Sequence, residues 1–331
     1  MVAVTDTTAP ARGDAARKAS TTLAARGRDL IERARPRTRW VLLANVIGQV
    51  FIILTGGAVR LTGSGLGCDE WPMCTPGSFT PAYHPETTYH SFIEFGNRTV
   101  TGLLTVIGIA VLLLVWTDRT RSRAYRSLGL VPLLGVLAQA VIGGVVVLLE
   151  LDPRWVSVHM AISAALVWFS AYLLHRHGEG DAAPVPIAGP AVRVTGWVLG
   201  LLLIPVVTLG VLVTGSGPHS GDTTVGYRFA FDPLLITKTH SGSVWLFVAV
   251  LAALLVLLHR LPASSSVTTA RRAAWVLVAV TVAQGAVGYV QYFTGLPGLL
   301  VGVHMLGAAS LIWATANATL HLRTRGTATP R

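Results

Sequence analysis

Of the ten histidines in this 331-residue chain, three open long apolar stretches: His159, His240 and His304. An imidazole at membrane depth is costly unless it faces a bundle interior and finds a partner, so such a residue is a functional candidate. His240 and His304 begin two different apolar segments at matching depth. Facing imidazoles in a bundle core can hold a haem iron from both sides. The plain alternative is an interhelical hydrogen bond of about 0.6–2 kcal/mol. That alternative suits a lone histidine; a pair at one depth points to haem. His175, His177, His259 and His321 lie at the opposite helix ends beside basic residues, where solvation and the helix dipole account for them. His84 and His219 fall in connections and receive no role.

The only cysteines, Cys68 and Cys74, lie in one connection. In an oxidising compartment they could close a short disulfide ring. The alternative is two free thiols; zinc would want four ligands.

The elements that position these residues follow from composition. The chain is 52% hydrophobic and 12% charged, with a mean hydropathy of +0.60, values foreign to a water-soluble domain of this length. Eight stretches satisfy the requirement of roughly 20 apolar residues per helical span: 40–59, 97–116, 128–149, 156–174, 194–213, 239–258, 273–293 and 299–320. Runs such as Val106 to Trp116 and Val248 to Leu258 are apolar on every side, which excludes the alternating strands of a membrane barrel.

The formal charge of +11 is a topology signal rather than a nucleic-acid footprint. Arginines crowd the segment before the first span, the even-numbered connections and the C-terminus, while the other side holds only Arg60, Arg98, Arg154, Arg228 and Lys238. The positive-inside rule then puts both termini in the cytoplasm, the first span acting as signal anchor. Residues 1–39 are rich in Ala, Arg and Thr without an apolar core and are expected to form a disordered cytoplasmic tail.

Self-comparison divides the rest into two like halves, 40–177 and 194–322, joined by a cytoplasmic linker at 178–193. Gln139 and His159 recur as Gln284 and His304, both 145 residues on; Thr62-Gly63-Ser64-Gly65 recurs as Thr214-Gly215-Ser216-Gly217. Four spans per half give the copies one orientation across the membrane. The expected fold is all-α, eight transmembrane helices forming two parallel-repeat four-helix bundles.

These residues resemble the haem A synthase family across all eight spans, though not the N-terminal tail. The resemblance is carried by Arg60-Leu-Thr-Gly-Ser-Gly-Leu-Gly-Cys68, by Asp69-Glu-Trp-Pro-Met-Cys74, by Glu94-Phe-Gly-Asn-Arg98 and by the three histidines. It implies an oxidoreductase that converts the C8 methyl of haem O to a formyl group, with water as oxygen source. It implies haem b as cofactor between His240 and His304, with haem O in the first half beside His159. The partners implied are the lipid bilayer, haem O and the haem O synthase (a protohaem farnesyltransferase), with a homo-oligomer left open. The location implied is the plasma membrane, for delivery of haem A to cytochrome oxidase.

Two features depart from the family pattern. Asn97 stands where the family usually has a histidine, so His159 is expected to be the single ligand of the substrate iron, with His90 the alternative on the same helix face. The second-half loop lacks a cysteine pair, which leaves any thiol chemistry to Cys68 and Cys74. Glu94, one turn before Asn97, is expected to be catalytic: a carboxylate in a low-dielectric site stabilises positive charge on the reacting carbon or orients water. The alternative for Glu94 is a first-turn helix acid. Arg60, Arg98 and Lys238 are expected to meet haem propionates, or merely to snorkel. An electron-transferring cytochrome b and a haem carrier are the competing functions.

Overall fold

The computed structural model describes residues 25–68, 70–82, 89–219, 221–222 and 226–326. Among them are eight helices long and apolar enough to cross a membrane: α1 (Thr38–Leu61), α2 (Tyr89–Trp116), α3 (Val131–Leu148), α4 (Pro153–Gly178), α5 (Pro190–Ser216), α6 (Pro233–His259), α7 (Ser265–Phe293) and α8 (Gly298–Leu320). This is an all-α multi-pass membrane protein. Most helices begin earlier or end later than their apolar cores, because polar caps and prolines rather than hydropathy set the ends. Pro153, Pro190 and Pro233 supply first-turn prolines whose missing N–H costs nothing there. Asp152 accepts from the Arg154 amide, Asp232 from the amides of Leu234 and Leu235, and Ser264 from that of Val267.

Two expectations need correction. Residues 25–37, assigned to a disordered tail, are helical and run directly into α1. Ion pairing within the segment supports that helix, Arg33 with Asp29 at 2.8 Å, and Arg35 ties it down by donating to the Leu114 carbonyl at 3.0 Å. Residues 1–24 lie outside the described residues. The segment 178–193 is likewise more than a linker: β1 (Val185–Pro186) pairs antiparallel with β2 (Arg323–Thr324) just after α8, and α5 begins at Pro190.

The helices close into two rings of neighbours. In the first, α1 touches α2 and α4, and α3 touches α2 and α4; in the second, α5 touches α6 and α8, and α7 touches α6 and α8. The rings meet along a seam where α8 lies against α1 and α4, and α4 against α5. Small residues permit the close approaches that hold membrane helices together. A Cβ at Gly108 would lie 3.1 Å from the Leu133 backbone, and one at Gly135 only 2.2 Å from the Leu166 side chain. The largest apolar cluster contains Leu199, Phe247, Leu254, Leu277 and Ile312, and reaches across the seam to Ile53 and Val167.

The hairpins ending α3 and α7 turn in the same way. Glu150 and Leu151 after α3, and Gly295 and Leu296 after α7, adopt left-handed backbone conformations. The Leu151 amide donates to the Val146 carbonyl at 2.9 Å and the Leu296 amide to that of Gln291 at 2.8 Å, the long closing bond of a Schellman turn. Each turn returns the chain so that the next helix carries its histidine inward.

Candidate haem-binding and substrate sites

His240 on α6 and His304 on α8 belong to the same ring. Each ring packs over a glycine of the adjoining helix: a Cβ on Gly210 of α5 would lie 3.2 Å from His240 Cε1, and one on Gly288 of α7 would lie 3.1 Å from His304 Cε1. His159 lies over Gly143 of α3 in the same manner, at 3.5 Å. A side chain at Gly210 or Gly288 would press on its imidazole, so those two glycines set how deep the rings of His240 and His304 can lie, whereas a Cβ at Gly143 would meet His159 at ordinary contact distance.

The backbone carrying two of the histidines is fixed by glutamine. Gln139 Nε2 donates to the His159 carbonyl at 3.0 Å and to Ser163 Oγ; Gln284 Nε2 donates to the His304 carbonyl at 2.8 Å. These bonds explain why Gln and His recur together at one offset. The Nδ1 atoms of all three histidines are buried without a hydrogen-bond partner of ordinary geometry. The carbonyls of Val206 and Gln284 make only looser approaches to His240 and His304. Buried imidazoles left so loosely held by protein groups fit a role as ligands better than a role as structural hydrogen-bonding groups.

The first ring has a different fourth position. Asn97 on α2 faces Gly56 of α1, its Oδ1 3.9 Å from a Cβ built there, and accepts from Thr55 Oγ at 2.7 Å. The amide thus occupies a helix-over-glycine position like those of the histidines, with its oxygen engaged by a hydroxyl. His90 is drawn to the loop instead: its Nδ1 lies 2.8 Å from Ser64 Oγ and its ring lies tilted against Tyr89, centroids 4.1 Å apart.

Above this ring, Cys68 and Cys74 form a disulfide, and among the described residues no cysteine is free. Glu94, 4% exposed, is the anchor of that loop. Its Oε2 accepts the Cys68 amide at 2.7 Å, and its Oε1 accepts Arg98 Nη2 at 2.6 Å. Arg98 Nη1 continues to the carbonyls of Glu70 and Met73 at 3.0 and 2.8 Å. The loop's carbonyls are thereby neutralised by the same guanidinium that pairs with the carboxylate.

Arg60 is directed across the seam rather than into its own ring. It donates from Nε to the His219 carbonyl at 2.8 Å and from Nη2 to that of Thr214 at 3.0 Å, while the neighbouring Gly65 amide donates to the Gly221 carbonyl at 2.8 Å. Lys238 is exposed. Reading the sequence singled out the histidines, Glu94 and Arg98 but missed Thr55, Ser64 and the glycines at 143, 210 and 288. Gly143 and Gly288 share the 145-residue offset of the glutamines, and Ser64 recurs as Ser216; Thr55 and Gly210 carry no such signal.

Comparison with known proteins places the chain among relatives of one family. A family model described as COX15-CtaA, cytochrome oxidase assembly protein, matches residues 38–218. The Heme A synthase of Lysinibacillus sphaericus is 39% identical over 140 residues, 41% of this chain and 43% of the relative. That of Bacillus licheniformis is 30% identical over 133 residues, 40% and 42% of the two chains. The Heme A synthase of Symbiobacterium thermophilum is 29% identical over 290 residues, covering 80% of this chain and 91% of its own. The matches to the first two span about two fifths of those relatives' length.

Proposed function

We infer the activity from kinship and geometry together: the chain belongs to the COX15-CtaA family of cytochrome oxidase assembly proteins, and we propose that it is a haem A synthase. The observation that carries this reading is the pair His240 and His304, each seated over a glycine of its neighbouring helix in one ring. The two halves are read as copies of one unit, specialised differently. The second would hold haem b through His240 and His304; when bound, that group supplies a one-electron redox centre. The first would receive haem O beside His159, with Asn97 leaving the other face without a second imidazole.

Within the first half the protein's own groups do three things. Glu94 and Arg98 hold the disulfide loop over the ring, which excludes bulk water and keeps the local dielectric low. In that setting the Glu94 carboxylate is preorganised to stabilise positive charge developing on the methyl carbon and to orient water toward it. Thr55 fixes the Asn97 amide one turn further into the membrane than Glu94. Conversion of a methyl to a formyl group takes up one water and releases four protons and four electrons, so the chemistry needs both a redox partner and a route for protons.

The arginine-rich face supports a reading with both termini on the cytoplasmic side of the plasma membrane. The expected partners are haem O and, for handing it over, the farnesyltransferase that makes it. Incubating the purified protein with haem O and identifying the extracted porphyrin by mass tests the proposal. A formyl product supports it. Unchanged haem O beside a spectrum of two bis-histidine haems would favour an electron-transferring cytochrome, and unchanged haem O without them a carrier.

A further inference from the structure

Two amide side chains lie within the apolar seam of the first ring with polar atoms that reach no protein partner. Asn45 and Gln49, one turn apart on α1, are 1% and 2% exposed. Asn45 Nδ2 donates at 2.8 Å to the hydroxyl of Ser170 on α4, which is 2% exposed. Asn45 Oδ1 and Gln49 Nε2 are buried without partners. Leaving such groups dry is costly, and more so in lipid, where water is not otherwise at hand. Helix α5, which takes the corresponding place in the second ring, contains no Asn or Gln. The polar cluster therefore belongs to the first ring alone.

The unmet groups are complementary. One is an acceptor and the other a donor, on side chains whose backbones are roughly 6 Å apart along the helix axis, and one water can satisfy both by donating to the first and accepting from the second. Ser170 offers a third contact, completing the two to four polar partners a buried water requires. A cavity approaches this level from the arginine-rich end without reaching the three side chains themselves. It has a volume of about 420 Å³ and opens between α1, α4 and α8, walled by Arg39, Leu43, Leu174, His175, Trp313 and Asn317. Leu174 stands one turn below Ser170, and Leu43 two residues before Asn45. Arg39 makes no ion pair among the described residues, which leaves it hydrated at the cavity mouth.

We propose that Asn45, Gln49 and Ser170 form a water-binding site inside the first ring, filled from the Arg39–His175 cavity, which brings water and exchangeable protons to mid-membrane depth from the arginine-rich face. The site stands on packing and hydrogen bonding alone and does not depend on the haem reading. X-ray hydroxyl-radical footprinting of the full chain in lipid nanodiscs tests it, because radicals form from bound water and label adjacent aliphatic side chains. Val46 and Ile53, both 4% exposed, are expected to be labelled in the natural chain. Gln49→Leu is expected to abolish that labelling; Gln49→Met, which keeps the side-chain length, serves if the leucine variant does not accumulate. Leu43→Trp, at the cavity wall, is expected to slow it. No labelling of Val46 and Ile53 in the natural chain, or labelling unchanged in the Gln49 variants, overturns the site. Labelling at the natural rate in Leu43→Trp overturns the route.

Discussion

Glu94 accepts the main-chain N–H of Cys68 at 2.7 Å, so the carboxylate proposed for catalysis is also the peg on which the disulfide loop hangs. Catalysis and loop placement are coupled through one side chain, and their separation requires paired variants.

Glu94→Gln keeps an acceptor for the Cys68 amide but removes the charge that pairs with Arg98. Breaking a buried pair costs toward the lower end of about 3–5 kcal/mol here, because the Arg98 side chain is 19% exposed. The expected outcome is a folded, less stable protein that binds haem O and does not convert it. Product analysis and thermal melting should be read together. Normal conversion by this variant would exclude Glu94 from the chemistry while leaving its role in the loop.

His240→Ala and His304→Ala should each abolish the low-spin bis-histidine spectrum of the second half, whereas His159→Ala should leave it in place. Soret and α-band absorption of the purified variants decide this. Equal spectral loss in all three would mean that the sites are not assigned to separate halves.

Gly307 offers a test at a distance. A Cβ there would lie 1.8 Å from Gln284 Oε1, so Gly307→Ala must displace the glutamine whose amide fixes the His304 carbonyl. Overpacking of this kind costs about 1–3 kcal/mol. Weaker haem retention on dilution is expected. Gly288→Ala, which presses a methyl 3.1 Å from His304 Cε1, should instead turn the ring and shift the midpoint potential of the bound haem.

At the arginine-rich end, burial pushes the Asp181 carboxyl up, but hydrogen bonds from Arg121 and from Ser122 outweigh it and hold the group at about 2. A carboxylate held below its ordinary value of 3.8 stabilises the fold fully above that value and loses the contribution as pH falls toward 2. Glu179 is lowered as well: burial opposes ionisation, and His175, Arg323 and Arg176 overcome it. Thermal melts should therefore show stability falling between about pH 4 and pH 2. In Asp181→Asn that slope should be reduced and the melt at neutral pH lowered. A melt independent of pH over that interval in the natural chain would contradict the arrangement.

Much of this protein was legible from residue order because lipid imposes a simple code. Every span must be apolar and internally hydrogen-bonded, so hydropathy revealed eight helices, and the like spacing of Gln139–His159 and Gln284–His304 marked two glutamines that each hold a histidine carbonyl. What residue order left open depended on side chains from distant segments meeting. Nothing near Arg60 indicates that its guanidinium crosses to the carbonyls of Thr214 and His219. Nothing around Glu94 marks it as an acceptor for the Cys68 amide. Residues 25–37 looked like a polar tail because nothing local shows that Arg35 reaches the Leu114 carbonyl, far along the chain. Local periodicity determines which faces must leave lipid; only the tertiary structure decides which polar atoms meet there, since those meetings are set by helix neighbours rather than by neighbours in sequence.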